Sequence, residues 1–180
     1  MGQDPSVGEA LAAFRAANGI PADGGSTWTC RLGALTLRMP NFGWRRRAIA
    51  RHDLHHIVTG YPCTLRGECR MAVWEFAAGR FPHPAATLFC LPLVILGLLW
   101  SPRAVWSAFL AGRRSESLYR FELTEDLLRA PLHQLCRERS EEDGSKGRFG
   151  DSLAFGLLVA QAGLLLLAPA ILAAAVLLAL

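Results

Sequence analysis

Residues 51–68 read Arg51-His-Asp-Leu-His-His-Ile-Val-Thr-Gly-Tyr-Pro-Cys-Thr-Leu-Arg-Gly-Glu68, a stretch that sets three of the chain's five histidines beside an aspartate and closes on a glutamate. On a helix advancing about 100° per residue, His52 sits at about 0°, Asp53 at about 100° and His56 at about 40°, so these three share one face. His55, at about 300°, leans away from it. Gly60-Tyr61-Pro62 ends the helix, because glycine accepts the left-handed C-terminal conformation and proline cannot continue the hydrogen-bond ladder. A second helix starting near Leu65 brings Glu68 back to the first. The stretch therefore predicts a helix pair at the centre of a mainly α-helical domain. Two imidazoles and two carboxylates converging from adjacent helices suit a divalent metal, Zn²⁺, or Mn²⁺ or Fe²⁺ where waters complete an octahedron. An isolated His-Asp-x-x-His is equally compatible with the polar face of a surface helix.

The full spacing is more specific. His-Asp-x-x-His, then eleven residues, then Glu resembles the signature of the coenzyme Q (ubiquinone) biosynthesis protein Coq-four family, with Gly60, Pro62 and Gly67 also in the places that family uses. Trp74-Glu75-Phe76 looks like its Trp-Phe-Glu helix. Gly112-Arg113-Arg114, Tyr119 and a closing helix with Leu127, Leu132 and Arg137 look like its C-terminal segment. The resemblance covers about residues 50 to 138, tightly at the motif and loosely elsewhere. It implies a part in ubiquinone biosynthesis, in oxidative decarboxylation of a prenylated aromatic ring and in organising other quinone-biosynthesis enzymes at a membrane. It also implies that His52, Asp53, His56 and Glu68 are at once the metal ligands and the catalytic group. A competing reading takes His52-x-x-His55-His56 as a histidine box of the membrane desaturases and hydroxylases, whose paired irons demand histidines from several boxes. The two other histidines, His83 and His133, stand alone, which disfavours it.

The 180 residues carry a formal charge of +4, unevenly spread. Residues 152–180 hold no charged side chain, so every charge belongs to the part before them. Basic surface beside apolar segments points to anionic lipid rather than nucleic acid. Five cysteines, with no Cys-x-x-Cys pair and an odd total, indicate neither a zinc ribbon nor a disulfide framework, and a reducing compartment is the simpler expectation. Gly-x-Gly-x-x-Gly, Walker and nucleophile-elbow patterns are absent, which disfavours nucleotide-binding and serine-hydrolase readings.

Working outward from the motif, residues 1–27 form a short amphipathic helix ending at Gly19, with Leu11 and Phe14 as its apolar stripe, and a linker over Ala22–Ser26. No chemistry is visible there. Trp28 to Met39 alternates polar and apolar residues around Gly33-Ala34 and predicts a β-hairpin. Trp44 opens the motif helix, and Arg45, Arg46, Arg47 and Arg51 line its first two turns, either as a solvated face or as a grip on an anionic ligand group, with Arg51 the foremost candidate. Leu65–Arg80 reads as a helix in which Trp74 and Phe76 pack. Residues 85–100 are apolar but number sixteen, against about 20 needed to cross a bilayer. With 104–111 they read as an embedded hairpin or as core, and Leu88, Leu91, Val94, Leu98 and Trp106 are expected to wall an apolar tunnel toward the metal.

Ser117–Arg139 reads as one mixed helix capped near Thr124-Glu125-Asp126, with Leu127, Leu128, Leu132 and Leu135 inward. The metal and lipid-binding domain then spans 28–139, followed by a linker over 140–151. Residues 152–180 read as a membrane segment that tilts or breaks at Pro169 into a hairpin, because one helix of that length would reach about 43 Å against a hydrocarbon core of roughly 30 Å. Lys146 and Arg148 before it predict a cytoplasmic (inner) membrane protein with its metal domain on the cytosolic face. The expected ligand is a membrane lipid or isoprenoid quinone precursor, and a homodimer is compatible with the pattern. The alternative function is a non-catalytic lipid-binding scaffold with a structural metal. Two departures bear on the resemblance: the family usually carries a longer helical region before the motif, and the 152–180 anchor is extra.

Overall fold

In a computed structural model of the chain, which describes residues 4–21, 25–32, 35–79, 81–137 and 148–179, the motif helix α2 runs Gly43–Thr59 and its partner α3 runs Leu65–Ala78. The break between them has the expected cause. Gly60 takes the left-handed conformation at φ 69°, its N–H donating to the His56 carbonyl at 2.9 Å, and Thr64 caps α3 by accepting from the Gly67 N–H. Gly67 is also a close approach, since a Cβ there would overlap the Pro62 carbonyl oxygen.

Around this pair the molecule is mainly α-helical. Before it come α1 (Val7–Ala17) and a two-stranded antiparallel hairpin, β1 (Thr27–Leu32) with β2 (Leu35–Pro40). Their register pairs Trp28 with Met39, Cys30 with Leu37 and Leu32 with Leu35. After the pair come α4 (Pro84–Trp100) and α5 (Pro102–Arg113). A 3₁₀ turn (Leu118–Arg120), α6 (Glu125–Arg129), α7 (Leu132–Arg137) and α8 (Phe149–Ala179) complete the chain.

The expected single helix over Ser117–Arg139 is instead the 3₁₀ turn and two short helices. Thr124 does cap α6, accepting from the Leu127 N–H. Pro131 then holds Ala130 in the extended region and stops α6 after one turn. Residues 138 and 139 lie outside the described residues, as do Ala22–Gly24, Gly33-Ala34 and most of the expected 140–151 linker.

Helix α1 is capped by Ser6 and Glu9 in a reciprocal capping box, and it is docked rather than appended. Val7 and Leu11 bury against Leu54 of α2 and against Leu118 and Leu135. The chain before it is tied to α7: Leu132 donates its N–H to the Pro5 carbonyl at 2.9 Å, and Asp4 accepts from the His133 backbone N–H at 3.0 Å and from its ring at 2.7 Å.

The main core lies between α3, α4, α5 and α8. Helices α3 and α5 touch at Gly112, where a Cβ would overlap the Trp74 carbonyl oxygen and crowd Ala77. Helix α8 continues through Pro169 without a hairpin, and Phe149–Pro169 is long and apolar enough to cross a membrane. It is not free along its whole length, since Leu158 and Ala162 bury against α4 and α5, whereas Leu164, Leu166 and Leu167 are exposed.

The α3–α5 contact is tested by Gly112→Ala. Overpacking against backbone should cost about 1–3 kcal/mol and lower the melting temperature measured by circular dichroism. Gly150→Ala, at a position with open space around it, should not.

Candidate metal centre

His52 and His56 stand one helical turn apart on α2 and point their Nε2 atoms at each other across 3.1 Å. Glu68, in the first turn of α3, straddles the pair, with Oε2 3.4 Å from His52 Nε2 and Oε1 3.3 Å from His56 Nε2. What faces the far side of each ring fixes the chemistry. His52 Nδ1 lies 3.0 Å from Glu75 Oε1, and His56 Nδ1 lies 2.7 Å from the Tyr61 carbonyl oxygen. A carboxylate and a carbonyl only accept, so each Nδ1 must carry the proton. In the neutral rings both Nε2 atoms then hold lone pairs, turned toward each other and toward a carboxylate. Three acceptors converge with no donor between them, which is stable only with a proton or a cation in the gap.

The dimensions fit a cation. An ion with bonds of about 2.0–2.1 Å to imidazole and carboxylate, held tetrahedrally, separates its ligand atoms by about 3.3 Å. Here the two nitrogens are 3.1 Å apart, and each ring has a different Glu68 oxygen at 3.3 or 3.4 Å, a spacing of that order. His52, His56 and Glu68 can hold a metal ion.

Asp53, expected as a fourth ligand, lies outside this group. It is 1% exposed and its Oδ2 accepts from Arg15 Nε at 2.7 Å. The side chain is one residue, about 100°, round the helix from His52, and α1 docks against that flank. Arg15 is the reason that face is occupied. The same helix brings Phe14 to stack on the His56 ring, with centroids 5.7 Å apart, so residues 1–27 contribute two contacts to the site that their own sequence does not reveal.

Behind the site lies a buried network. Glu75 Oε1 accepts from His52 and also from His55 Nδ1 at 2.7 Å and the Tyr119 hydroxyl at 2.9 Å. His55, which leans away from the metal face as expected, uses Nε2 to accept the Leu118 backbone N–H at 2.9 Å. Glu75 Oε2 is buried without a hydrogen-bond partner in the described structure. The sequence singled out Glu75 only within the Trp74-Glu75-Phe76 likeness, with no role of its own. Its signal was available: Glu75 is two turns beyond Glu68, on the same face of the helix.

Electrostatics follow from this geometry. Burial disfavours a charged His52, but the Glu75 and Glu68 carboxylates outweigh it and hold its pKa well above the usual imidazole value. Burial would raise Glu68, yet hydrogen bonds from His52 and His56 pull it down to about 2. Glu75 is held far below the carboxylate range in the same way, by His52 and His55 against its burial. Burial, then Glu75, drives the Tyr119 phenol well above its normal value. Of the four arginines on α2, Arg45 is the one near the centre. It lies on the face of His52 and His56, its burial lowers its pKa, and Asp53 and Glu68 partly restore it; Asn41 Oδ1 accepts from it at 3.0 Å.

Arg51, the arginine expected at the ligand, instead donates to the Phe121 carbonyl at 2.8 Å and the Arg47 carbonyl at 2.9 Å. It borders a small recess with Trp44, Arg47, Ala48, Pro82 and His83, which none of the three metal-competent residues lines. The expected tunnel wall is also relocated. Leu91 and Val94 are core, Leu98 and Trp106 pack against it, and Trp106 meets the Phe155 ring of α8 at 5.1 Å. Helix α8 packs on the same cluster through Leu158, Ala162 and Phe155. Of the expected wall only Leu88 borders the larger groove, an open cleft of about 570 Å³ shared with Phe76, Gly79, Phe81, Pro84, Thr87 and Gln161.

No protein-family model, curated protein or solved structure matches this chain. The likeness drawn from the motif therefore rests on the quoted residues, three of which converge at one point.

Two outcomes are expected. Glu75→Gln removes the carboxylate that orients His52 and should weaken metal binding about 10–100-fold with the helical content retained, as measured by competition with a chelating dye. In the metal-free protein, the depressed Glu68 contributes stability that is present above its ordinary value of 4.5 and is lost as pH falls toward about 2. Thermal melts across that window should show the loss, reduced in Glu68→Gln.

Proposed function

We propose that this protein is a membrane-held metalloprotein whose divalent ion is bound by His52, His56 and Glu68, with zinc first and manganese or iron(II) as the alternatives compatible with two nitrogens and one carboxylate. The observation that carries the reading is the convergence of His52 Nε2, His56 Nε2 and the Glu68 carboxylate, with both Nδ1 atoms turned to other acceptors. Three protein ligands leave room for an exogenous one, the pattern of a reactive rather than a closed structural site. Glu68 is in keeping with this, its side chain being 31% exposed while His56 is 1% exposed.

The substrate class we infer is a prenylated aromatic or other isoprenoid lipid, with ubiquinone-biosynthesis-like chemistry. Support comes from the Coq-four-like spacing of His52, Asp53, His56 and Glu68 and from the apolar helices α4 and α8. A bound divalent ion would supply Lewis acidity toward a ring hydroxyl or carboxylate. The chain's own part is to hold the His52 and His56 tautomers through Glu75 and Tyr61, and to offer Arg45 as a cation for an anionic group on the ligand. The proposed location is the cytosolic face of the inner membrane, from Lys146 and Arg148 ahead of α8. The second reading is a lipid-binding scaffold with a structural metal. It is favoured by Glu75, which ties α2, α3 and the 3₁₀ turn together behind the site.

Elemental analysis of the purified full chain tests the metal. About one divalent ion per chain is expected, lost in His56→Ala and kept in Asp53→Asn. Full occupancy in His56→Ala would overturn the site. Glu68→Gln separates the two readings: retained fold with lost turnover of a prenylated ring acid supports the enzyme, whereas loss of the melting transition supports the structural ion.

A further inference from the structure

The arginines that open α2 do not act together. Arg45 lies on the metal side, and Arg46 donates to the Asn41 carbonyl at 3.0 Å. Arg47 and Arg51, four residues apart and so on one face of the helix, share a recess of about 150 Å³ with Trp44, Ala48, Pro82 and His83. Among the described residues no carboxylate lines it, and neither Arg47 nor Arg51 has one within ion-pair distance.

The polar groups of the recess are donors. Arg51 is held in place through two backbone carbonyls, Nε to Phe121 at 2.8 Å and Nη1 to Arg47 at 2.9 Å, so its Nη2 group has no partner among the described residues. The Arg47 guanidinium makes no hydrogen bond among them either. His83 accepts the Ala85 N–H on Nδ1 at 3.1 Å, which leaves the proton of the neutral ring on Nε2 as a donor. That ring is steadied by its stack on Trp44, at 5.0 Å. The helix adds to the same sign: Phe42 supplies no side-chain cap and no acidic residue stands in the first turn of α2, so guanidiniums gather near the positive end of the helix dipole, where an anion is favoured.

We propose that the recess of Arg47, Arg51 and His83 binds the phosphate group of a phosphate monoester. Such a group carries a charge of about −1.5 to −2 at pH 7 and three strong acceptor oxygens, which match two guanidiniums and an imidazole N–H, whereas a carboxylate is satisfied by one arginine fork. The site is separate from the metal, since His52, His56 and Glu68 do not line it.

The test is isothermal titration calorimetry of the full chain with inorganic phosphate as the probe. Phosphate should bind more tightly than acetate, and equally well in His56→Ala, where the metal is lost. Arg47→Gln should weaken binding about tenfold or more, and Arg51→Gln likewise. Arg47→Lys should keep part of it, because the charge stays and the fork goes. Arg51 also holds the Phe121 carbonyl, so the melting transition of each variant is followed by circular dichroism, and the exposed Arg47 decides the matter should Arg51→Gln unfold. Arg46→Gln, one residue away and outside the recess, should leave the affinity unchanged. An unchanged affinity in Arg47→Gln would overturn the proposal, as would an equal loss in Arg46→Gln, which would make the effect one of diffuse charge. Loss of binding in a folded His56→Ala would move the anion to the metal, and acetate binding as tightly as phosphate would remove the case for a dianion; either overturns it. Competition by glycerol 1-phosphate and by phosphatidic acid in nanodiscs then distinguishes a soluble monoester from a lipid one by which displaces phosphate at the lower concentration. Displacement by neither would overturn the monoester assignment.

Discussion

One buried oxygen organises the centre of this molecule. Glu75 Oε1 receives His52 and His55 from α2 and Tyr119 from the 3₁₀ turn, while its own backbone belongs to α3. A carboxylate at 1% exposure is costly to desolvate, by several kcal/mol if unpaired, and three donors on one atom are what offset that cost. An amide could accept on its oxygen but would present a donor where Oε2 now lies. The consequence reaches the metal site through geometry: with Nδ1 of His52 committed to Glu75, Nε2 has no choice but to face His56 and Glu68. The Tyr61 carbonyl does the same for His56, using the backbone exposed by the break at Gly60.

Much of this was legible in the chain. Helical spacing alone puts His52 and His56 on one face, and Gly60-Tyr61-Pro62 ends α2 where expected. The Leu65 start of α3 returns Glu68, and the alternation over Trp28–Met39 folds as a hairpin. Asp53 shows where spacing runs out. A helix wheel reports which residues share a face but not what docks on it, and Arg15 arrives from 38 residues away on a helix whose own pattern suggested only a short amphipathic appendage. The arginine run posed the same problem. Which of Arg45 and Arg51 faces the ligand side depends on whether nearby backbone carbonyls capture the guanidinium, and for Arg51 the Phe121 carbonyl of a distant turn does so. The length of the last domain helix was misread for a local reason, since Ala130-Pro131 interrupts a pattern whose leucines do turn inward.

The apolar helices present a related lesson. Leu91, Leu98 and Trp106 were equally consistent with a cavity wall and with core, because hydrophobicity says that a side chain leaves water and not what replaces the water. The deciding element is α8. Its Phe155, Leu158 and Ala162 pack among the same α4 and α5 side chains, and the open groove lies at the α3–α4 corner where Leu88 and Gln161 meet. A helix that reads as an anchor by composition is therefore also part of the domain's core.

The charge around the centre bears on what it can receive. Arg15 and Asp53 neutralise each other, and Glu68 and Glu75 supply the two negative charges nearest the His52–His56 pair. A divalent ion held there would balance those two carboxylates, and Arg45 adds positive charge on the same face of α2. At the partly exposed Glu68 edge, a neutral ligand would gain little from that field, whereas a carboxylate or phenolate would be drawn to both the ion and the guanidinium. The sum depends on Asp53 staying with Arg15. Were Asp53 instead a fourth ligand, the site would lose one positive charge to its coordination shell and strand Arg15 on the protein side. The docking of α1 thus sets the electrostatic character of the centre from outside it.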